Sequence, residues 1–243
     1  MFFPYKDENP TELAPTITIG LIVANLLVWV LVQGMGSAEP LARSTCELGL
    51  VPGEILRTVP PGVSFQMGNG LACVTTGVPH YWTVLTSMFL HGGWFHILGN
   101  MWFLWIFGNN IEDAMGHGRF LVFYLLSGIA AAAAQTFSAP HSAVPMIGAS
   151  GAISGVMGAY LVLFPRVRVH TLVFLGIFIT TIAVPAYLML VYWFLLQLLG
   201  GLPALGGAAD QGGVAFFAHV GGFVTGLVLV KAFLRGDFQR ADG

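Results

Sequence analysis

The stretch MIGASGAISG, residues 146–155, places Ser150 among glycines and alanines in a chain whose other long segments are apolar. Small residues bury little surface themselves, but they allow membrane helices to approach one another closely. The stretch therefore predicts a tightly packed helix that carries a hydroxyl group near its beginning.

The composition of the chain indicates a membrane protein. Of its 243 residues, 56% are hydrophobic and 8% are charged, and the mean hydropathy is +0.80. Soluble domains carry roughly a quarter charged residues. The net charge of -2 and the lack of any run of like charges argue against a nucleic-acid partner. We expect no cofactor and no metal.

Six apolar stretches have, or can be extended to, the roughly 20 residues that cross a bilayer. They are residues 16–33, 94–108, 120–137, 147–164, 185–199 and 214–234. One helix over 169–199 would be about 46 Å long, too long for one span. We therefore place a break at Pro185 and interpret residues 169–184 as an interfacial or partly inserted lead-in. The sequence predicts an all-α membrane protein with six transmembrane helices.

The basic residues predict how these spans are oriented, because cytoplasmic loops carry an excess of Lys and Arg. Six spans with a cytoplasmic N-terminus place seven basic residues inside and two, Arg43 and Arg57, outside. Counting residues 169–184 as a seventh span would leave four basic residues inside and five outside. We therefore expect a membrane domain over 16–235 with a long outer first loop, 34–93. Cytoplasmic tails are expected at 1–15 and 236–243. The first span has no basic stretch before it and is interpreted as a retained anchor.

Four polar side chains fall at a similar shallow depth below the outer surface in this arrangement: His96, Asn100, Ser150 and His219. His96 and Asn100 are four residues apart and share one helix face. Ionisable and polar groups inside a membrane are costly and usually mark a functional site. Each of them alone could equally be a packing residue of the bundle. Glycines beside Ser150 and His219 favour close approach of the two helices that carry them.

A serine and a histidine at matched depth indicate nucleophilic chemistry, because an imidazole can take the proton of a weakly nucleophilic hydroxyl. Asp210, the one nearby carboxylate, falls in the last outer loop, so we expect a Ser150–His219 dyad rather than a triad. His96, Asn100 and the backbone N–H of Ser150 are candidates for stabilising an oxyanion.

Cys46 and Cys73 both fall in the predicted outer loop. They can form one disulfide if the loop lies in an oxidising compartment, or remain two free thiols. The sequence leaves both alternatives open.

Three motifs together resemble the rhomboid family of intramembrane serine proteases over residues 81–233. They are HGGWFHILGN with His91, His96 and Asn100; GASGAISG with Gly148, Ser150 and Gly151; and AHVGGFVTG with Ala218, His219, Gly222 and Gly226. Each motif alone is weak, but their order on alternate spans is highly specific.

The resemblance implies a six-helix rhomboid-like bundle that hydrolyses peptide bonds in or near transmembrane segments. It implies Ser150 as nucleophile and His219 as base, with His96, Asn100 and the Ser150 amide around the oxyanion. The residues that would support this site are Gly148, Gly151, Gly222, Gly226 and His91. The implied partners are single-span membrane substrates and membrane lipid. The implied location is a bacterial inner membrane, with both termini cytoplasmic and the site facing outside.

Two positions depart from the family pattern. The Trp-Arg pair that the family carries in its first loop is Trp82-Thr83 here, which predicts the loss of a polar contact in that loop. Four residues after the nucleophile, the family carries an aromatic side chain that packs on the histidine, and this chain has Ser154. The orientation of His219 must then have another source, such as a hydrogen bond from Ser154.

Three other functions can be weighed against the protease. An inactive rhomboid-like protein that binds membrane clients is expected to lack the serine or the histidine, and this chain has both. A transporter would need polar residues that continue across the membrane. A metalloprotease could use His91, His96 and His219 but lacks the HExxH pattern.

Overall fold

The computed structural model describes residues 2–68, 70–175, 178–205, 214–236 and 238. In chain order its elements are β1 (Phe2–Asp7), α1 (Thr16–Leu31), α2 (Ala38–Leu48), α3 (Pro52–Ile55), β2 (Ser64–Gly68), β3 (Leu71–Val74), α4 (Thr83–Thr86), α5 (Trp94–Met115), α6 (His117–Ser138), α7 (Ser150–Leu163), β4 (Arg168–Leu175), β5 (Phe178–Pro185), α8 (Ala186–Leu205) and α9 (Phe216–Phe233). Short 3-10 turns at Gly34–Gly36 and Ser87–Phe89 complete the described part. Asp210 lies outside the described residues, as does most of the predicted C-terminal tail.

Each of the six predicted spans corresponds to a helix. Within the described residues, three helices are long and apolar enough to cross a membrane: His117–Ser138, Ala186–Pro203 and Phe216–Phe233. The helices Thr16–Leu31 and Ser150–Leu163 are apolar but shorter. The break that the sequence predicts at Pro185 is present, because β5 ends at this residue and α8 begins at the next.

The described residues are mostly helical, as predicted, but residues 168–175 and 178–185 form strands where the sequence predicted only a lead-in to the fifth span. β4 and β5 pair in an antiparallel hairpin, with Arg168 opposite Pro185. β1 adds to the other edge of β4, giving the order β1-β4-β5. The predicted N-terminal tail is therefore partly ordered as a sheet strand.

The residue pattern of β4 and β5 explains why they form strands, although mean hydropathy does not predict them. Val169, Thr171 and Val173 are buried and alternate with more exposed neighbours, which is the period of a strand. β-Branched residues are also frequent in β4 and β5, and such residues favour strands. Hydropathy averaged over a window records apolar content but not this alternation.

The predicted outer loop, residues 34–93, is folded in the structure. It contains α2, α3, the β2–β3 hairpin and α4. A disulfide joins Cys46 at the end of α2 to Cys73 in β3, with their α-carbons 5.2 Å apart. Of the two alternatives for the cysteines, the structure therefore contains the disulfide.

α7 is the central helix of the bundle, since every residue from Gly151 to Tyr160 is buried. Glycines on α9 face it directly. A β-carbon on Gly222 would overlap the carbonyl of Gly151, and one on Gly226 would overlap the carbonyl of Gly155. Only glycine leaves room for the two backbones to touch in this way.

The far end of the bundle is held together by a buried carboxylate on α5. Glu112 is fully buried and accepts hydrogen bonds from the backbone N–H groups of Ile17 and Thr18, both at 2.8 Å. The hydroxyl of Thr18 donates a third bond at 2.7 Å. Because N–H groups in the first turn of a helix lack partners within the helix, Glu112 satisfies the beginning of α1.

Candidate active site

Ser150 is the first residue of α7, and the turn before it is built around a glycine. Gly148 has a φ of +130°, a conformation that favours glycine, and its N–H donates to the carbonyl of Ser87 at 2.9 Å. Because Ser150 is in the first helical turn, its own N–H has no acceptor within the helix. The positive end of the helix dipole therefore lies beside the hydroxyl.

His219 reaches this hydroxyl from α9. Its Nε2 atom lies 2.8 Å from the Oγ atom of Ser150. Both side chains are half-buried. The glycine contacts between α7 and α9 bring the two helices close enough for this hydrogen bond.

The other ring nitrogen of His219 has a partner on a third helix. Its Nδ1 atom lies 2.8 Å from the Oε1 atom of Gln197, on α8. The ring of Trp193, one turn earlier on α8, has its centroid 5.8 Å from that of His219, with a tilt of 40°. The histidine is therefore contacted on two sides by α8.

His96, at the beginning of α5, presents its Nε2 atom to the site. The backbone N–H of Gly92 donates to its Nδ1 atom at 3.2 Å, so in the neutral ring the proton is on Nε2. A β-carbon on Gly148 would lie 2.8 Å from Nε2 and 3.4 Å from the Ser150 hydroxyl. The absence of a side chain at Gly148 thus keeps the space between these two groups open.

Asn100 lies one helical turn after His96. Its side chain is buried, and its Nδ2 atom has no hydrogen-bond partner within the described part of the chain. A buried amide without a partner is costly, so its presence calls for an explanation. A group that binds there during function would provide one.

A cavity of about 690 Å³ brings these groups together. The polar and aromatic side chains among its lining residues are Trp94, Phe95, His96, Asn100, Phe103, Ser150, Ser154, Trp193 and His219. The structure thus places four of the sequence-predicted site residues, His96, Asn100, Ser150 and His219, around one space. A cavity of this volume can hold several residues of an extended peptide.

His91 is not among the residues that line this cavity. It lies before α5, where its N–H donates to Gln33 Oε1 and its carbonyl accepts from Gln33 Nε2, both at 2.8 Å. Its ring packs edge-on against His96, with centroids 5.0 Å apart. Burial, with a smaller effect of His96, lowers the pKa of His91 to about 3. His91 therefore supports His96 as an uncharged ring.

The two departures from the family pattern have local explanations. Thr83 donates from its hydroxyl to the carbonyl of His80 at 2.6 Å, so it is bonded within its own turn. The hydroxyl of Ser154 donates to the carbonyl of Ser150 at 2.6 Å and not to His219. The aromatic ring beside the histidine is supplied by Trp193 instead.

Gln197 is a residue of the site that the sequence analysis missed. It is the one amide side chain in the apolar stretch 186–201, which carries no charged residue. Polar side chains inside a membrane helix commonly face the bundle interior, so this position could have been identified. Among the described residues no group of three or more His, Cys, Asp or Glu side chains is placed to hold a metal ion.

The chain also matches a known protein family. Residues 78–236, well over half of the chain, match the family described as Rhomboid domain. The chain belongs to the rhomboid family. Its apolar helices and its rhomboid domain make it an integral membrane protein.

Several curated proteins are similar to this rhomboid. Rhomboid protease GluP of Bacillus subtilis is 42% identical over 81 residues, which are 33% of this chain and 15% of that protein. Putative rhomboid protease YdcA of the same organism is 37% identical over 33% of this chain and 40% of its own length. Rhomboid protein 1, mitochondrial, of Saccharomyces cerevisiae is 29% identical over 60% of this chain and 40% of that protein. The rhomboid described here thus spans less than half the length of each of these relatives.

Proposed function

We propose that this rhomboid is an intramembrane serine endopeptidase that cleaves peptide bonds in or near transmembrane segments. The observation that carries the proposal is the 2.8 Å contact between Ser150 Oγ and His219 Nε2 inside the cavity. Two of the relatives are named as rhomboid proteases, one of them putative, which supports the same reaction class.

In the proposed reaction, His219 Nε2 accepts the hydroxyl proton as Ser150 Oγ attacks the carbonyl carbon of the scissile bond. The tetrahedral intermediate collapses when the protonated His219 donates that proton to the leaving amine, which releases one product. Water, activated by the same imidazole, then attacks the acyl ester on Ser150. The second product is released as a carboxylic acid, and Ser150 recovers its proton.

The negative charge that develops on the attacked oxygen requires hydrogen-bond donors. Three lie around the cavity: His96 Nε2–H, Asn100 Nδ2–H and the backbone N–H of Ser150. An oxyanion bound here would give the amide of Asn100 the partner that it lacks in the described residues. Such preorganised donors stabilise the transition state more than the ground state.

The proposed topology has six spans, with the N-terminus cytoplasmic and the cavity opening toward the outer face. Ser150, His96 and Asn100 all lie near the beginnings of their helices, consistent with a site at one shallow depth. The family fits several membranes, because its relatives include bacterial, mitochondrial and plant proteins. A bacterial inner membrane with the site facing outside is the location that we propose.

The proposed substrates are single-span membrane proteins whose helix unwinds near its outer end. A peptide bond in a regular helix has its carbonyl and amide engaged along the axis, so the segment must fray before Ser150 can attack. Glycine and proline lower that cost, by about 1 and 3 kcal/mol relative to alanine. Small side chains at the cut are expected to fit best, because Gly148 and Gly151 leave a narrow space beside the serine.

Reconstitution in liposomes with a single-span substrate tests this function. We expect the wild type to cleave and the variants Ser150→Ala and His219→Ala, each folded as judged by thermal unfolding, to be inactive. A fluorophosphonate should label Ser150 and stop cleavage, whereas a chelator should not. Binding of the substrate without cleavage by the wild type would identify an inactive, client-binding protein instead.

A further inference from the structure

We infer that Gln197 is a positioning residue that makes a third member of the site, so that Ser150, His219 and Gln197 act as a hydrogen-bonded chain. This inference rests on the proposed protease function and extends it to a residue on α8. The chain of contacts is Ser150 Oγ to His219 Nε2 at 2.8 Å, then His219 Nδ1 to Gln197 Oε1 at 2.8 Å.

The hydrogen bond to Gln197 selects the tautomer that catalysis requires. A neutral imidazole has one protonated nitrogen and one bare nitrogen, and a general base must keep Nε2 bare toward the serine. A carbonyl oxygen can only accept, so Gln197 Oε1 favours the tautomer with its proton on Nδ1. The bare Nε2 then faces the hydroxyl of Ser150.

One contact on its own helix favours this orientation of the Gln197 amide. Its Nε2 group lies 3.5 Å from the carbonyl of Trp193, a long and weak hydrogen bond, while Oε1 lies toward His219. The reverse orientation would present N–H groups to Nδ1 and place the proton on the wrong nitrogen. Trp193 also contacts the ring of His219, so one turn of α8 sets both the tautomer and the tilt of the ring.

Within the described part of the chain, no charged side chain lines the cavity beside His219 to take over this task. No Asp, Glu, Lys or Arg of the described residues lines the cavity. His96, on α5, is the other histidine among the described lining residues, and its Nδ1 atom accepts the N–H of Gly92. Ser154 on α7 is bonded to its own helix. Gln197 is thus the hydrogen-bond acceptor that the structure places at Nδ1 of His219.

A neutral acceptor has a consequence for the pH dependence of the reaction. A glutamine carbonyl orients the imidazole but lends no negative charge to the imidazolium that forms during attack, unlike the carboxylate of a Ser-His-Asp triad. Replacing Gln197 by glutamate keeps an acceptor at the same distance and adds that charge. The protonated ring is then stabilised, and the acidic limb of the pH–rate profile moves to higher pH.

The test measures fluorophosphonate labelling of Ser150 from pH 5 to 9 in the full-length protein, together with kcat and KM for a membrane substrate. A small probe reports on activation of the serine without requiring substrate entry between helices. We expect Gln197→Leu to slow labelling and lower kcat about tenfold or more with KM little changed, because one oriented hydrogen bond is lost. Gln197→Glu should label at or near the wild-type rate at neutral pH, with the acidic limb moved up by about one pH unit.

Leu195→Ala is the matched control, because Leu195 lies on the exposed face of the same helix. It should leave the labelling rate and its pH profile unchanged. Labelling of Gln197→Leu at the wild-type rate across the pH range would overturn the inference while leaving the protease function intact. If Gln197→Leu does not fold, an unmoved acidic limb in Gln197→Glu would overturn it. Failure of the wild type both to label and to cleave would overturn the protease function and this inference together.

Discussion

Gly222 on α9 lies directly against the backbone carbonyl of Gly151, the residue that follows Ser150 on α7. The contact leaves no room for a β-carbon, and four residues later Gly226 repeats it against Gly155. The distance between the serine and the histidine is therefore set by backbone contact between two helices. The catalytic geometry that we propose depends on residues that have no side chain.

Gly222→Ala is accordingly expected to push α9 away from α7. The added methyl group meets a backbone carbonyl rather than a movable side chain, so overpacking should destabilise the protein by about 1–3 kcal/mol. Cleavage should fall more than stability alone explains, because Ser150 and His219 separate. Thermal unfolding in detergent and substrate cleavage measure the two effects.

Gly20→Ala is the control for that change, because a β-carbon at Gly20 on α1 would meet nothing within 4 Å. Alanine is favoured over glycine in a helix by about 1 kcal/mol, so this variant should be as stable as the wild type or slightly more stable. Equal behaviour of the Gly222 and Gly20 variants would show that the contact between α7 and α9 tolerates a side chain.

Asn100→Ala should lower kcat by roughly ten- to a thousandfold with KM little changed, the range for loss of one oxyanion donor. Phe103→Leu, which alters an apolar wall of the same cavity, should change KM more than kcat. Steady-state kinetics on one substrate separate the two parameters. An unaltered kcat in the Asn100 variant would assign its amide to packing.

Glu112→Gln should destabilise the protein by about 1–3 kcal/mol. Glu112 is buried and its two carboxylate oxygens accept the N–H groups of Ile17 and Thr18, whereas an amide offers one acceptor and would turn a donor toward the other N–H. Glu12→Gln is the control, since the ion pair of Glu12 with Arg235 is exposed and worth little. Chemical unfolding in detergent should show a difference between the two variants, and equal stabilities would contradict the role of Glu112.

Reduction of the disulfide between Cys46 and Cys73 should destabilise the folded segment 34–93. The bridge closes a loop with a sequence separation of 27, for which the loss of chain entropy in the unfolded state corresponds to about 2–4 kcal/mol. The double variant Cys46→Ser/Cys73→Ser should show the same loss and no further response to reductant. Free, alkylatable thiols in the unreduced wild type would contradict the bridge.

The protein should also lose stability in acid because of His91. Burial lowers the pKa of His91 to about 3, below the value of 6.5 that applies to the unfolded chain. Between these two pH values the unfolded state binds the proton more readily than the folded state does. His91 therefore does not lower the free energy of unfolding above about pH 6.5, and below that pH it lowers it by up to about 1.4 kcal/mol per pH unit. His91→Phe should shift the onset of acid unfolding to lower pH, as followed by thermal unfolding from pH 7 to 4. His141→Phe, which replaces an exposed histidine, should leave the onset unchanged, and the same onset in the His91 variant would contradict this account.

The sequence by itself determined that the protein is a membrane protein and which apolar stretches form its long helices. Apolar content over about 20 residues is a local property, so it can be read without knowing what packs against what. The same holds for the break at Pro185. Three polar motifs, which lie at α5, α7 and α9, also indicated the family, because their order along the chain is itself the signal.

The tertiary structure alone decided the features that depend on partners distant in the chain. The strands β4 and β5 form because β4 has β1 and β5 to pair with, which average hydropathy does not detect. The sequence suggested that Ser154 could orient His219, whereas in the structure Trp193 and Gln197 contact the histidine. Which residues do so depends on which helix lies beside His219. The disulfide likewise required that α2 and the β2–β3 hairpin meet. Each of these is a contact between separate elements, and a one-dimensional pattern specifies the side chains but not their neighbours.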